Sequence, residues 1–486
     1  MYANVLPLGS RTRVWAVGLL AVLSLAASIT LCAIAWALWL APALIGLYRT
    51  LNSVRFMAQR LPARQLNAIS LRAHGWLLSL QLLALGIGLA VYETHLVNKL
   101  LPMVAVLQLM SALTLLRASL HTWRHTEPFI PPEPLSDKEL PSLSVLIPAR
   151  NETDALQRCL EQLVASDYPK LEIVVLDDDS TTRRTPEIIR SFAHNGVRFI
   201  QGAAPDETNW LAKNRAYARL RAEASGELLL FCGVDALFEA GSLRALVEVL
   251  LDRRKDMLSV LPLKDRSVRT RASLLQPMRY YWEICLPRRF FKRPPVLSTC
   301  WLIRAAMLDR VGGFDAISRS ITPEAYFARQ AVVTDAYSFI RSNQMLGVSS
   351  AKPASEQYAT SIRMRYPQLH RRLELVAVTT LLELLLLLGP IVSLCFAGLL
   401  RRAMAYGALW LVCTACLLVT YYLVAVATKL NNPLLAWLLM PLAFLYDILI
   451  LHISLMKYEF GHVEWKGRDV TKPVMQSMRL PPASQA

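Results

Sequence analysis

Long runs of hydrophobic residues occupy both ends of the 486-residue chain, whereas short apolar runs alternate with polar positions in its middle. Near the N-terminus the apolar blocks cover residues 14–47, 76–96 and 101–118. Because about 20 apolar residues cross a bilayer, the first block predicts one long tilted helix or a tight helical hairpin. The other two blocks predict a hairpin with a short outer turn. Segment 48–75 carries five arginines and no acid, which is typical of a cytoplasmic loop.

Three further apolar blocks lie near the C-terminus, at residues 374–400, 405–427 and 432–456. The pair Gly389-Pro390 interrupts the first block, and two arginines follow that block directly. We therefore predict that the first block is a re-entrant or interface-lying helical pair with both ends in the cytoplasm, followed by two full crossings. Three full crossings are the alternative, and they would place the basic tail outside.

The middle of the chain has the pattern of a globular domain. Short buried strands alternate there with amphipathic helices, which predicts a parallel α/β sheet with helices on both faces. The predicted strands cover residues 143–148, 171–176, 197–200 and 227–231, and the predicted helices cover residues 153–165, 185–194 and 209–224.

These patterns predict a multi-pass protein of the inner (cytoplasmic) membrane whose globular domain lies in the cytoplasm. The predicted regions are an N-terminal membrane region with about three transmembrane helices (1–125), a proline-rich linker (126–140), an α/β domain (141–372), a C-terminal membrane region (373–456) and a basic cytoplasmic tail (457–486).

Composition and charge agree with a membrane protein. Hydrophobic residues make up 54% of the chain, and the formal net charge is +17. A basic chain can bind nucleic acid, but these cations flank apolar spans, where they hold loops on the cytoplasmic side. We therefore predict a membrane partner and no nucleic acid. A transporter is disfavoured because the spans carry few charges and the middle domain is too large for a loop.

Polar clusters follow three of the predicted strands. They read PARNE at 148–152, DDDS at 177–180 and GVD at 233–235. Ligands of open parallel sheets bind at the carboxyl ends of the strands, where a carboxylate can accept from a ribose hydroxyl or hold a divalent ion. Asp and Ser also cap helices and turns, but three clusters at successive strand ends favour a binding site.

The stretch LSVLIPARNETDALQRCLEQLVASDYPKLEIVVLDDDST resembles the opening of a family 2 glycosyltransferase with the GT-A fold, a Rossmann-like nucleotide-diphospho-sugar transferase fold. The segment LSTCWLIRAAMLDRVGGFDAISRS and the tail GHVEWKGRDV extend the resemblance toward the hopanoid-associated glycosyltransferases and the related ceramide glucosyltransferases. This resemblance implies a nucleotide sugar, in particular a UDP-sugar, as donor and a lipid as acceptor. It implies donor contacts at Pro148, Ala149, Arg150, Asn151, Glu152, Asp177, Asp178, Lys213 and Asp235.

Two motifs depart from the family pattern. The Asp-x-Asp metal loop reads Gly233-Val234-Asp235 here, which leaves Asp235 as the expected ligand of Mg²⁺ or Mn²⁺. In SITPEAYFARQ, Pro323 replaces the first acid of the catalytic pair, and Glu324 falls where the resemblance implies the catalytic base. Thr-Pro-Glu is equally a plain helix start, capped by the threonine.

The acceptor-side box of the family also differs, because SIRMRYPQL lacks the glutamine. The resemblance implies that Arg363 and Arg365 contact the diphosphate and that Tyr366 stacks on the acceptor. A basic interfacial helix that binds anionic headgroups is the other interpretation.

The sequence therefore predicts a membrane-bound inverting glycosyltransferase that moves a sugar from a UDP-sugar to a hydroxyl of a lipid. The alternative is a catalytically impaired glycosyltransferase-like membrane subunit that binds a nucleotide sugar or a partner without efficient transfer.

Overall fold

The computed structural model describes residues 96–128, 134–202, 210–265, 278–286, 294–396, 406–428 and 432–470, together with four isolated positions between 19 and 26. The predictions for 14–47, 48–75 and 76–96 therefore lie almost entirely outside the described residues, as does most of the basic tail.

A seven-stranded sheet forms the centre of the α/β domain, in the order β3-β2-β1-β4-β8-β6-β9. Strands β1 to β4 run parallel, as predicted, but β8 is antiparallel to both β4 and β6. The parallel arrangement of the predicted strands is therefore confirmed, and β8, which the sequence pattern did not predict, adds an antiparallel strand that needs no crossover helix. The strands are β1 (Leu143–Ala149), β2 (Leu171–Asp177), β3 (Val197–Gln201), β4 (Leu228–Cys232), β5 (Ala236–Phe238), β6 (Met257–Leu261), β7 (Leu263–Lys264), β8 (Cys300–Arg304), β9 (Tyr337–Arg341) and β10 (Val348–Ser350).

Helices cover both faces of this sheet, as predicted. Successive residues of a strand point to opposite faces, so Val145 packs in one core with Leu160 while Leu146 packs in the other with Leu220 and Phe327. A second sheet, in the order β5-β10-β7, lies beside the first. The helices of the domain are α2 (Asp154–Val164), α3 (Arg184–Ser191), α4 (Ala212–Glu223), α5 (Ser242–Asp252), α6 (Met278–Cys285), α7 (Ala305–Arg310), α8 (Pro323–Val333) and α9 (Ala354–Gln368).

Four helical runs in the described part of the chain are long and apolar enough to cross a membrane: Leu101–His125, Leu375–Cys395, Gly407–Ala427 and Met440–Glu459. They pack directly on the α/β domain, since Tyr281 of α6 lies 5.7 Å from the Phe444 ring and its hydroxyl lies 3.1 Å from that of Thr420. The helices are α1 (Leu96–His125), α10 (Leu373–Leu382), a π-helical segment (Glu383–Leu388), α11 (Gly389–Phe396), α12 (Gly407–Ala427), α13 (Pro433–Leu438) and α14 (Met440–Phe460).

The prediction that Gly389-Pro390 breaks the first C-terminal block is wrong, because the helical run continues through both residues. Proline has no N–H and leaves a carbonyl of the preceding turn without its helical partner. The amide of Gln108 on α1 donates to Leu385 O at 2.8 Å and satisfies one such carbonyl. A neighbouring helix thus supplies the bond that the proline removes.

Candidate functional site

A cavity of about 1040 Å³ extends from the carboxyl ends of the strands to the apolar helices. Both Asp178 and Asp235 line it, so the structure brings the two predicted carboxylates to one site. Of the predicted donor contacts, the cavity is lined by Pro148, Glu152, Asp178, Lys213 and Asp235; the apolar helices contribute Leu107, Thr114, Leu382, Glu383, Asp447 and Ile450.

Arg150, Asn151 and Asp177, which are also predicted donor contacts, form hydrogen bonds within and between the loops after β1 and β2. Arg150 is 4% exposed and donates to Asp178 O at 2.7 Å and to Asp179 O. Asn151 accepts from Thr181 N at 2.9 Å, and Asp177 accepts from the Ser180 backbone at 3.2 Å. The loops after β1 and β2 are therefore tied to each other. Ala149, Arg150, Asn151 and Asp177 do not line the cavity, and their contact with the donor stays a prediction.

A short C-terminal hairpin, β11 (Glu464–Trp465) and β12 (Arg468–Asp469), lies over these loops. Lys466 Nζ lies 3.0 Å from Glu152 Oε2, and the Arg468 guanidinium pairs with the Asp178 carboxylate. The turn residues Lys466 and Gly467 both have positive φ, 51° and 80°, as a two-residue hairpin turn requires. The Lys-Gly dipeptide between alternating residues is the sequence signal for this hairpin, but nothing local indicates where it docks.

The two hairpin cations, Lys466 and Arg468, affect the pKa values of the buried carboxyls in these loops. Burial raises the pKa of Asp178, and Arg468 opposes that shift. Burial likewise raises the pKa of Glu152, and Lys466 opposes it. Without these partners the two carboxyls would tend to hold a proton, since desolvation disfavours their charged form.

Glu324 lies at the start of α8, which begins at Pro323 as the plain helix-start interpretation predicts. Thr322 forms no side-chain capping bond with any described residue, so the predicted threonine cap is absent. The Glu324 side chain is 3% exposed, lines the cavity, and has one oxygen, Oε2, without a hydrogen-bond partner among the described residues. A buried carboxylate oxygen of this kind costs free energy unless a ligand fills the position.

Lys213 Nζ lies 3.8 Å from Glu324 Oε2. Its neighbour Asn214 holds this arrangement together, because Asn214 Nδ2 lies within 3.1 Å of the carbonyl oxygens of Ile317, Ser318 and Ser320. These bonds tie the start of α4 to the loop before α8. Sequence reasoning missed Asn214, although it directly follows the predicted lysine.

Asp235 lies in the loop between β4 and β5. Its Oδ2 accepts from Ser350 Oγ at 3.1 Å. A Cβ on Gly233 would lie 2.6 Å from Asp235 Oδ1, so the aspartate occupies the space that a side chain at 233 would need. No group of three or more His, Cys, Asp or Glu side chains with metal-site spacing occurs among the described residues. One carboxylate fits a Mg²⁺ ion that keeps waters and substrate oxygens as its other ligands.

The acceptor-side box lies on α9 and separates into three environments. The Arg363 guanidinium lies 5.5 Å from the Trp465 ring of the hairpin, and both residues line the cavity. Arg365 lines the cavity too, but it pairs with acids of the apolar helices. Tyr366 is fully buried, with its hydroxyl 2.9 Å from Glu459 Oε1, and it does not line the cavity; its stacking on an acceptor stays a prediction.

Part of the α/β domain matches a known protein family. Residues 144–312 match the Glycosyl transferase family 2 model. The chain is 28% identical over 187 residues to the probable glycosyltransferase YdaM of Bacillus subtilis (strain 168), which covers 37% of this chain and 44% of that protein. It is 30% identical over 111 residues to an N-acetylglucosaminyltransferase of Rhizobium meliloti (strain 1021), which covers 22% of this chain and 25% of that protein.

These matches span less than half the length of either curated relative. Among solved structures, the mannosyltransferase PcManGT from Pyrobaculum calidifontis, in complex with GDP-Man and Mn²⁺, aligns with a TM-score of 0.45 and 18% identity. That alignment covers 71% of this chain and 99% of the other.

Proposed function

We propose, from the premise that residues 144–312 are a family 2 glycosyltransferase domain, that this protein moves a sugar from a UDP-sugar to a hydroxyl of a membrane lipid. The observation that carries the proposal is the cavity, which joins the strand-end carboxylates to helices apolar enough to cross a membrane. A lipid acceptor needs this geometry, because its head must reach a donor that comes from water while its chains stay in the bilayer.

The donor binds at the strand ends in this proposal. Asp178 and Glu152 accept from the uridine part, and Lys213 with Arg468 offers positive charge to the diphosphate. The choice of uridine rests on the resemblance of the PARNE and DDDS loops to those of the family. Asp235 would hold a Mg²⁺ or Mn²⁺ ion, and such an ion supplies charge stabilisation to the departing diphosphate when it is bound.

Glu324 is the proposed general base. Its carboxylate lines the cavity, with Lys213 Nζ 3.8 Å from Oε2, and removes the proton from the acceptor hydroxyl. The hydroxyl oxygen then bonds to the anomeric carbon as the bond from that carbon to the diphosphate oxygen breaks. Attack from the face opposite the leaving group inverts the anomeric centre, and UDP departs with the bonding electron pair.

A second candidate function is a glycosyltransferase-like subunit that binds a nucleotide sugar or a partner without efficient transfer. The observation in its favour is the single carboxylate of the Gly233-Val234-Asp235 loop, where a Cβ at position 233 would lie 2.6 Å from Asp235 Oδ1.

Incorporation of label separates the two candidates. The full chain in vesicles made from total bacterial lipid is incubated with a panel of radiolabelled UDP-sugars and Mg²⁺, and the lipid phase is extracted and counted. Label in the lipid phase, with release of UDP, supports transfer. UDP binding by calorimetry without lipid label supports the second candidate. The absence of any nucleotide binding overturns the transferase and leaves the second candidate only as a subunit that binds a partner.

A further inference from the structure

The membrane end of the cavity contains a buried charged cluster that the proposed transfer reaction does not use. Arg365 of α9 pairs with Glu383 at 3.4 Å and with Asp447. Trp282 of α6 donates to Asp447 Oδ2 at 3.1 Å. All four side chains line the cavity. Four elements of the chain therefore meet here, and one guanidinium faces two carboxylates.

Within this cluster, Glu383 has an incompletely bonded carboxylate. Its side chain is 2% exposed, and its Oε2 has no hydrogen-bond partner among the described residues, although its other oxygen faces Arg365. A cluster that served only to join helices would be expected to satisfy both oxygens, because an unpaired buried carboxylate oxygen is costly. Glu383 also lines the cavity, and a bound ligand that donates a hydrogen bond would give this oxygen a partner.

The local backbone supports a binding role. Glu383 begins the π-helical segment Glu383–Leu388, and π-turns within helices occur frequently at functional sites. Apolar side chains of the same run, Leu382 and Leu386, also line the cavity. A polar head and an apolar chain would therefore find complementary surfaces next to each other.

We propose that Glu383, Asp447 and Arg365 form a headgroup subsite for the lipid acceptor, specific for a head that donates hydrogen bonds through a hydroxyl or an ammonium group. This inference rests on the proposed function, since it names the chemistry of the lipid that the transferase accepts. The excess of carboxylates over cations disfavours a head that presents only phosphate oxygens.

Lipid binding to the full chain in detergent micelles, followed by native mass spectrometry, tests this subsite. The probes share dioleoyl chains and differ in the head: dioleoylglycerol offers a hydroxyl, phosphatidylethanolamine an ammonium group, and phosphatidylcholine no donor. We expect at least one of the first two to bind about tenfold or more tightly than phosphatidylcholine. Equal binding of all three lipids, or no binding of any, would overturn the proposal.

Two variants of Glu383 identify the interaction. Glu383→Leu should abolish the preference for donor heads, whereas Glu383→Gln keeps an acceptor oxygen of the same shape and should retain binding of dioleoylglycerol while losing any preference for the ammonium head. Glu356→Gln is the matched control, because Glu356 is an exposed acid of α9 on the same cavity. A preference that survives Glu383→Leu would contradict the subsite.

UDP binding by each variant separates this inference from the proposed function. Variants that bind UDP like the parent chain but lose lipid preference support the subsite and exclude a general loss of folding. Parent chain that binds UDP but shows no lipid preference overturns the subsite alone. Parent chain that binds no nucleotide overturns the proposed transfer, and with it the acceptor role of the cluster.

Discussion

The two ends of the cavity handle buried carboxylates in opposite ways. At the donor end, Glu152 and Asp178 are each paired with a cation of the C-terminal hairpin. At the membrane end, one arginine serves two acids and leaves Glu383 Oε2 unpaired. The ion pairs fix the carboxylates of the donor end without a ligand. At the membrane end, a ligand could donate the hydrogen bond that Glu383 Oε2 lacks among the described residues.

The hairpin also links the two ends mechanically. It follows α14 directly, and α14 contributes Asp447 to the membrane-end cluster. The segment that reaches the nucleotide loops is thus anchored on the helix that lines the proposed acceptor subsite. Because each end has its own set of charged partners, we expect variants confined to one end to affect one substrate.

Glu324, which lines the same cavity, should give the largest effect. Glu324→Gln should lower transfer by about a hundredfold to ten-thousandfold, since a general base contributes a factor of this size, while UDP binding stays within about twofold. Label incorporation and calorimetry measure the two quantities. Glu356→Gln, which changes an exposed acid on the same cavity, should leave both unchanged. Transfer that persists in Glu324→Gln would remove the glutamate from the mechanism.

Loss of Arg468, one of the two hairpin cations, should have the second-largest effect, and this effect should fall on the donor end. Arg468→Met leaves the buried Asp178 without its guanidinium, which we expect to destabilise the fold by about 2 kcal/mol and weaken UDP binding about tenfold. Thermal unfolding and calorimetry check both values. The matched control is Arg310→Met, since Arg310 is exposed and its nearest acid, Asp256, lies 4.0 Å away. Tighter UDP binding in Arg468→Met would show instead that the hairpin competes with the donor.

The metal loop should respond less strongly. Asp235→Asn should reduce the stimulation of UDP binding by Mg²⁺ about tenfold, because the remaining ligands are waters and phosphate oxygens. Gly233→Ala should reproduce part of this loss without removing a carboxylate, because its methyl group would displace Asp235 Oδ1 from a position 2.6 Å away. Calorimetry with and without Mg²⁺ measures both. Unchanged stimulation in Asp235→Asn would place any ion elsewhere.

Local patterns predicted the donor half of the domain well. Strands β1 to β4 and their covering helices follow from hydrophobic periodicity, and the polar clusters at their ends meet because parallel strands end at one edge. The same patterns could not tell which polar residues face the cavity. Asp178 faces it and Asp177 turns inward to the Ser180 backbone, a choice made by backbone geometry after the strand ends.

Features made by distant contacts escaped prediction. The hairpin joins Arg468 to Asp178, which lies 290 residues earlier, and no periodicity reports such a contact. The buried position of Tyr366 depends in the same way on Glu459 of α14. The Gly-Pro break was wrongly expected because Gln108, on another helix, satisfies the carbonyl that the proline leaves. Predictions from pattern therefore held for elements whose neighbours are close in sequence and failed where the partner comes from another helix.

That helix–helix bond gives the last prediction, in which stability changes and UDP affinity does not. Gln108 is buried, donates to Leu385 O and accepts from Trp410 Nε1 at 3.0 Å, so Gln108→Leu leaves two buried polar groups without partners. We expect a loss of about 1–3 kcal/mol and a fall of a few degrees in Tm. UDP affinity should not change, because the donor end shares no contact with this bond. Val106→Leu, an exposed position on the same helix, is the control for volume. Weaker UDP binding in Gln108→Leu would mean that the membrane helices support the donor end directly, and the two ends would then have to be treated as one cooperative unit.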